Sequence, residues 1–208
     1  GASNINSYRM TSYLGRLNYD YAGKYYVSGS FRRDGSSRLS RDSRWGNFWS
    51  VSGSWRLSQE AFMESLSNVI TDAKIRASYG VNGTQPKDYY GYMGVYEFGY
   101  NYNGNGGSSE ARFYNPSLKW EKNYATNIGI DLTLFNRLTV SAEWYNRETK
   151  DLLMDKPISA AVGVINSSGV ANMLVNVGSM RNRGFELELK STNIQNKDLL
   201  WTTSLNIG

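Results

Sequence analysis

The chain has 208 residues and a formal charge of +5, with no cysteine and no histidine. That excludes a disulfide framework, a thiolate metal site and any Ser–His–Asp arrangement, and removes the commonest metal ligand and general base. The expectation is a protein that is not an enzyme and carries no metal or cofactor. Mean hydropathy is -0.53, and no run approaches the roughly 18 apolar residues of a spanning helix. Yet 16 Tyr, 6 Trp and 7 Phe make 14% of the chain aromatic. Tyr and Trp, with an apolar body and a polar tip, suit a membrane–water boundary.

Apolar residues recur at every second position, which predicts strands with one apolar and one wet face. The first runs over Ser12–Tyr21, with Tyr13, Leu17, Tyr19 and Tyr21 on one face, Arg16, Asn18 and Asp20 on the other, and Leu14 against the pattern. Ala22-Gly23-Lys24 turns into a second strand, Tyr25–Arg33. Asp34 to Asn47 reads as a polar loop in which Asp34-Gly35 signals a turn. A third strand covers Phe48–Leu57. Ser58 to Asp72 predicts a short helix, because Phe62, Leu66, Val69 and Ile70 approach helical spacing. The fourth strand is Ala73–Asn82. Gly83 to Asn123 is a Gly-, Asn- and Tyr-rich excursion, in part a hairpin. Tyr124–Leu134 and Leu138–Glu148 follow, joined by Phe135-Asn136-Arg137. After the excursion from Lys150 to Arg183 come Gly184–Lys190 and Leu200–Gly208.

These segments predict an all-β, antiparallel transmembrane β-barrel of about eight strands. Short and long connections alternate broadly, as do the periplasmic turns and outer loops of outer-membrane barrels. With the long ones outward, both ends of the sequence fall on the outer side. The expectation is an interior piece of a larger barrel, in an outer membrane, with no leader of its own. A complete eight-stranded barrel is the alternative.

Several strings, in order, resemble one family, the SusC/RagA-like TonB-dependent outer-membrane transporters. They are Phe31-Arg32-Arg33-Asp34-Gly35-Ser36-Ser37-Arg38, Arg44-Trp45-Gly46-Asn47-Phe48-Trp49-Ser50-Val51-Ser52 and Trp55-Arg56-Leu57. Further along come Lys74-Ile75-Arg76-Ala77-Ser78-Tyr79-Gly80, Asn115-Pro116-Ser117-Leu118-Lys119-Trp120-Glu121 and Asn127-Ile128-Gly129-Ile130-Asp131. Tyr145, Lys150-Asp151-Leu152-Leu153 and Asn182-Arg183-Gly184-Phe185-Glu186 complete the set. The resemblance implies a barrel of about 22 strands filled by a plug. It further implies coupling to TonB through a TonB box, a SusD-like lipoprotein lid, and oligosaccharide or peptide cargo. Residues 1–208 then read as a partial barrel domain, with plug and TonB box outside this chain. Import into the periplasm of a Gram-negative bacterium is the expected function. A passive porin or an adhesive surface barrel is the alternative.

Three groups of residues follow as candidates. Tyr89, Tyr90, Tyr92, Tyr96, Phe98, Tyr100 and Tyr102 sit in an outward loop, where rings stack on sugars, and are expected to touch cargo or lid. Arg16, Arg32, Arg56, Arg76, Glu143, Glu186 and Glu188 are expected to face the lumen and the plug, since charges removed from water need partners. Arg38, Arg41 and Arg44 are candidates for lipopolysaccharide phosphates, which Arg grips in bidentate fashion. Glu186 and Glu188, about 7 Å apart along a strand, match a glycosidase spacing but read better as lumen-facing polar residues. Nucleic acid is not expected as a partner, because the basic residues are dispersed.

Overall fold

The computed structural model describes residues 6–162 and 172–208. Among them the strands are β1 (Met10–Tyr21), β2 (Tyr25–Ser36), β3 (Trp45–Arg56), β4 (Ile70–Thr84), β5 (Val95–Tyr102) and β6 (Asn105–Arg112). They continue as β7 (Glu121–Leu134), β8 (Leu138–Lys150), β9 (Leu153–Pro157), β10 (Asn172–Asn176), β11 (Ser179–Gln195) and β12 (Leu200–Ile207). Eight of these form one antiparallel sheet in the order β1-β2-β3-β4-β7-β8-β11-β12. They are the eight strands expected from the period of two. The sheet is open, with β1 and β12 as its edges.

Several elements differ from expectation. Asp34-Gly35 is not a turn. It continues β2, paired with Gly46 and Trp45 of β3, and the chain reverses within residues 37–44, closed by Ser36 N–H donating to the Arg44 carbonyl at 3.1 Å. The Trp45 ring lies so close over Gly35 that a Cβ there would be 2.8 Å from it, so glycine serves ring packing and not turn geometry. The expected helix over 58–72 is two 3₁₀ pieces, Leu57–Gln59 and Ala61–Leu66. Phe62 packs edge-on against Trp55 at 6.4 Å. Ile70 and Asp72 join the β4–β7 ladder opposite Leu134 and Thr133, which removes the end of the apparent helical pattern. The strand expected from Gly184 begins earlier, at Ser179. The Phe135-Asn136 turn has φ of 53° and 54°, the two left-handed residues of a tight hairpin.

Register assigns the faces, because residues directly opposite in an antiparallel ladder share a side. One apolar row reads Tyr19, Val27, Gly53, Ala77, Ile128, Trp144, Phe185, and the next reads Tyr21, Tyr25, Trp55, Ile75, Ile130, Ala142, Leu187, Ile207. The belt does not follow the rows. In the row toward the long loops, Leu17, Gly29, Val51 and Tyr79 give way to Thr126, Asn146 and Arg183. Toward the tight turns, Ala73, Leu132, Val140, Leu189 and Leu205 extend the apolar face on the β4–β12 side. A belt that steps across rows is what tilted barrel strands require if its height is to stay level.

A buried core of Leu39, Phe48, Leu118, Trp120 and Leu174 lies at the long-loop end, with Tyr92 and Leu153 packed on it. It forms where β3–β4 pairing stops at Trp49↔Val81, while β3 continues along β2 and β4 continues along β7. Phe48 fills the split, edge-on to Trp120 at 5.3 Å. A second sheet, in the order β5-β6-β10-β9, stands beyond this core. Its β5–β6 hairpin matches the expected hairpin; β9 and β10 were not foreseen.

At the tight-turn end, Glu60 accepts hydrogen bonds from Tyr25 Oη at 2.6 Å, Trp55 Nε1 at 3.1 Å and Lys24 Nζ at 3.2 Å. These bonds, first from Tyr25 and then Trp55, hold its carboxyl below the ordinary carboxylate range. A lowered folded-state pKa stabilises above the unfolded value and loses that contribution as pH falls through the folded one. Glu60→Gln is therefore expected to be less stable than the parent at neutral pH and to converge with it in acid, measured by urea unfolding between pH 7 and pH 3. At Gly83, an added Cβ would stand 2.1 Å from the Phe48 ring. Gly83→Ala is expected to destabilise by about 1–3 kcal/mol through overpacking, with Phe48→Leu in the same chain recovering part of the loss in the same assay.

Candidate functional site

The seven charged residues expected to face a lumen share the sheet face opposite the apolar belt. Alternation alone places them there: Arg16 opposes Ser30, Arg56 opposes Lys74, Arg76 opposes Gly129, and Glu143 opposes Glu186. Arg32 and Glu188 have the same parity.

This wall has two unlike halves. In the two middle rows across β2–β4 its side chains are short, Ser28, Ser52 and Ser78 in one and Ser30, Ser50 and Gly80 in the next, with Ser30 and Ser50 hydrogen-bonded at 2.7 Å; Arg32 and Arg56 lie at their two ends. Across β4–β11 it is charged. Arg76 lies flat over Gly129, where a Cβ would be 2.8 Å from its guanidinium carbon. From there it pairs with Glu143 through Nη1 and with Asp131 through Nε at 3.3 Å. Lys74 reaches Asp131 at 3.4 Å, and Ser141 Oγ donates to Asp131 at 2.7 Å. Glu188 pairs with Lys190. Arg76, Ser141, Glu143, Glu186 and Glu188 line one concavity of about 480 Å³. Glu143 and Glu186 face each other directly, a like-charge pair that costs stability unless cations lie between or beside them. Arg76 supplies one. Ser141 was missed in the sequence; its parity with Glu143, two residues on, is the signal that marks it.

At the loop end the tyrosines separate. Tyr89 packs edge-on to Tyr8 at 5.8 Å, and the Arg38 guanidinium stands over both rings, at 4.1 Å from Tyr8 and 4.6 Å from Tyr89. Arg38 also donates to the Pro86 carbonyl at 3.1 Å, so its cation is engaged within the loops. Arg41 is exposed; Arg44 is half-buried and its carbonyl accepts from Trp120 Nε1 at 3.0 Å. Tyr92 leans on the loop core. Tyr90 is exposed, and Tyr96 and Phe98 stand out from the β5–β6 hairpin, 60% and 83% exposed. Tyr100 Oη donates to Glu97 Oε2 at 3.2 Å. Tyr102 ends β5; its side chain lies outside the described residues.

The Asn115–Glu121 string fastens these loops together. Asn115 Nδ2 donates to the Leu174 carbonyl at 2.7 Å, Ser40 Oγ to the Pro116 carbonyl at 2.7 Å, and Lys119 N–H to Asn176 Oδ1 at 2.8 Å. Asn176 Nδ2 returns to the Lys119 and Asp151 carbonyls, both at 2.9 Å. The β4–β7 and β8–β11 excursions and the 37–44 turn thus form one assembly.

The family model for the β-barrel of TonB dependent receptor-like proteins matches residues 1–208. The chain belongs to the TonB-dependent receptor β-barrel family. It is 37% identical over 99% of its length to TonB-dependent receptor P39 of Formosa agariphila, and 35% identical over 95% to TonB-dependent receptor SusC of Bacteroides thetaiotaomicron. It spans about a fifth of these relatives, 19% and 20% of their lengths. Among solved structures, the RagAB peptide importer in its closed-closed state superposes with a TM-score of 0.84 at 32% identity, over 96% of this chain and 21% of that one. The siderophore receptor PirA from Pseudomonas aeruginosa, at 14% identity and a TM-score of 0.60, covers 96% of this chain and 34% of its own, and shares the fold alone. The resemblance read from the sequence strings is therefore the family itself, and these relatives are receptors and transporters, not enzymes.

In this receptor barrel, Arg76 is the hub of the charged wall. Arg76→Gln leaves Asp131 and Glu143 beside Glu186 with one cation fewer. It is expected to lower stability by about 1 kcal/mol, the scale of a partly exposed network. Adding Glu143→Gln should recover most of it in a double-mutant cycle of urea unfolding.

Proposed function

We propose that this chain is part of the wall and outward loops of an outer-membrane importer. It would be energised through TonB and would move oligosaccharides or peptides into the periplasm of a Gram-negative bacterium. The observation that carries the reading is kinship above 30% identity, over at least 95% of the chain, with both SusC and the RagAB peptide importer. The two-faced sheet agrees with it: an apolar belt outside, and a charged wall inside that needs partners. A plug and a TonB box in the remainder of the protein would provide those partners and the coupling. The long-loop end faces outward in this reading, as the alternation of short turns and long loops favours. Of the seven candidate aromatics, Tyr90, Tyr96 and Phe98 stand exposed there for cargo or for a SusD-like surface lipoprotein. Exposed aromatics suit both stacking on sugars and packing against a protein partner.

The test is uptake by cells carrying the full-length protein. Defined oligosaccharides and defined peptides are supplied as separate carbon or nitrogen sources, with and without a protonophore. Energy-coupled import predicts growth on one cargo class that fails when TonB is deleted; uptake that continues without TonB would instead make this a passive pore. Tyr96→Ala with Phe98→Ala is expected to weaken binding of the cargo or lipoprotein by about tenfold, the loss of one or two aromatic hot spots. Fold and heat-modifiable migration in gels should stay unchanged.

A further inference from the structure

The outward face carries its cations at one end only. Arg33 shares a face with Phe31 and opposes Tyr13 and Asn47. Lys122 opposes Lys150 in the row just beyond Tyr124. Arg181 opposes Glu148, and Arg183 opposes Asn146. All five side chains point to the side of the apolar belt. Rows at the tight-turn end of that face run through Ile75, Ile130, Ala142 and Leu187, then Leu132, Val140 and Leu189, then Leu134, Leu138 and Ser191. Their described strand positions hold no lysine or arginine.

The cations also follow the slant of the belt. Arg33 on β2 lies one row beyond Phe31, while on β11 the cations begin at Arg183, in the row that is still Leu17, Gly29, Val51 and Tyr79 on β1–β4. They therefore track the edge of the apolar surface and not a row of the ladder. In a barrel of tilted strands that edge is a line of constant height. Aromatic rings at the same level hold two of them: Arg33 lies 5.2 Å from the Trp45 ring centre and Lys150 lies 5.3 Å from that of Tyr124. Glu148 pairs with Arg181 at 3.3 Å and Lys150 at 3.7 Å, which leaves the group of six with a net charge of +4 from five cations and one carboxylate.

We propose that Arg33, Lys122, Lys150, Arg181 and Arg183 form a basic collar that binds the phosphate groups of the outer-leaflet glycolipid, lipopolysaccharide. Cations level with one headgroup plane are matched to a layer of anionic phosphates, and arginine presents the fork that phosphate oxygens fill. The collar is distinct from Arg38, Arg41 and Arg44. Arg38 is enclosed by Tyr8, Tyr89 and Pro86, and all three lie in the loop assembly above the sheet. Rigid attachment of lipid along this edge would fix the height and tilt of the barrel against the leaflet.

The experiment uses the full-length receptor, purified in mild detergent from its outer membrane. Bound lipids are counted by native mass spectrometry and identified by phosphorus NMR after release. The variant R33Q/K122Q/K150Q/R181Q/R183Q is expected to lose at least about threefold of its phosphorylated glycolipid, on the scale of several surface charges. R38Q/R41Q/R44Q should keep its full complement. If the five-fold variant lacks the heat-modifiable migration of a folded barrel, R33Q/R183Q, at the two ends of the collar, is read the same way with a smaller loss. Unchanged lipid in the folded collar variant, loss confined to the loop variant, or a phosphorus signal from free phosphate alone would each overturn the proposal. Uptake is scored separately, so an intact importer with unchanged lipid refutes the collar and leaves the transport reading standing.

Discussion

Every feature of this chain depends on one constraint: in a hydrocarbon layer each backbone N–H and C=O must find its partner within the protein. The β1-β2-β3-β4-β7-β8-β11-β12 ladder meets that demand through most of the belt; the outer sides of β1 and β12 and the stretch of β11 before Leu187 have no partner strand among the described residues. Because pairing is antiparallel and nearly free of bulges across the belt, parity is preserved from β1 to β11, and one irregularity on β4, at Ile70/Asp72, falls at the tight-turn end. A slip of one residue anywhere would turn Arg76 or Glu143 into lipid and Ile75 or Trp144 into the polar wall. The charged wall and the apolar belt therefore enforce the register from opposite sides.

The same constraint explains where the hydrophobic core is. A barrel wall packs against lipid on one side and faces polar groups on the other, so it has little opportunity to build a water-excluding core of its own. The core of Leu39, Phe48, Leu118, Trp120 and Leu174 forms instead where the sheet splits between β3 and β4 and long connections rise clear of the belt. Ordering such long loops costs chain entropy. Burial of these five side chains, with the Asn115 and Asn176 hydrogen bonds, offsets that cost and joins three separate connections into one assembly. Phe98 and Tyr96 are then exposed on a supported hairpin and not on a loose tip.

The strands were legible because a period of two is a local signal: Tyr25, Val27, Phe31 and Trp49, Val51, Trp55 announce their faces without reference to partners. What stayed hidden was non-local. Leu39, Leu118 and Leu174 lie in three different connections, and no spacing relates them. The five-residue strands β9 and β10 exist through their pairing with each other. Asp34-Gly35 has the composition of a turn, but pairing with Gly46 and Trp45 overrides local preference, as tertiary contacts commonly do. Of the residues spaced like a helix face, Phe62 packs on Trp55 across a short 3₁₀ turn, while Leu66 and Val69 stay exposed. Alternation alone gathers the charged residues on one sheet face, yet their connectivity, with Arg76 bridging Asp131 and Glu143 across three strands, required the register.

The polar wall is stiffened unevenly. Arg76, Asp131, Glu143 and Lys74 satisfy one another across β4, β7 and β8, so this half is tied together by its own side chains. The Ser28, Ser52 and Ser78 row and its Ser30, Ser50 and Gly80 neighbour lack long side chains. Their serines present neutral hydroxyl groups, which exchange protein for water as a partner at small net cost. The partly exposed charges of the other half instead hold one another, each a modest contribution in a network. The serine rows in the middle of β2–β4 and the ion-paired rows of β4–β8 are thus two chemically unlike surfaces on a single sheet, set by which residue types occupy one parity of the same ladder.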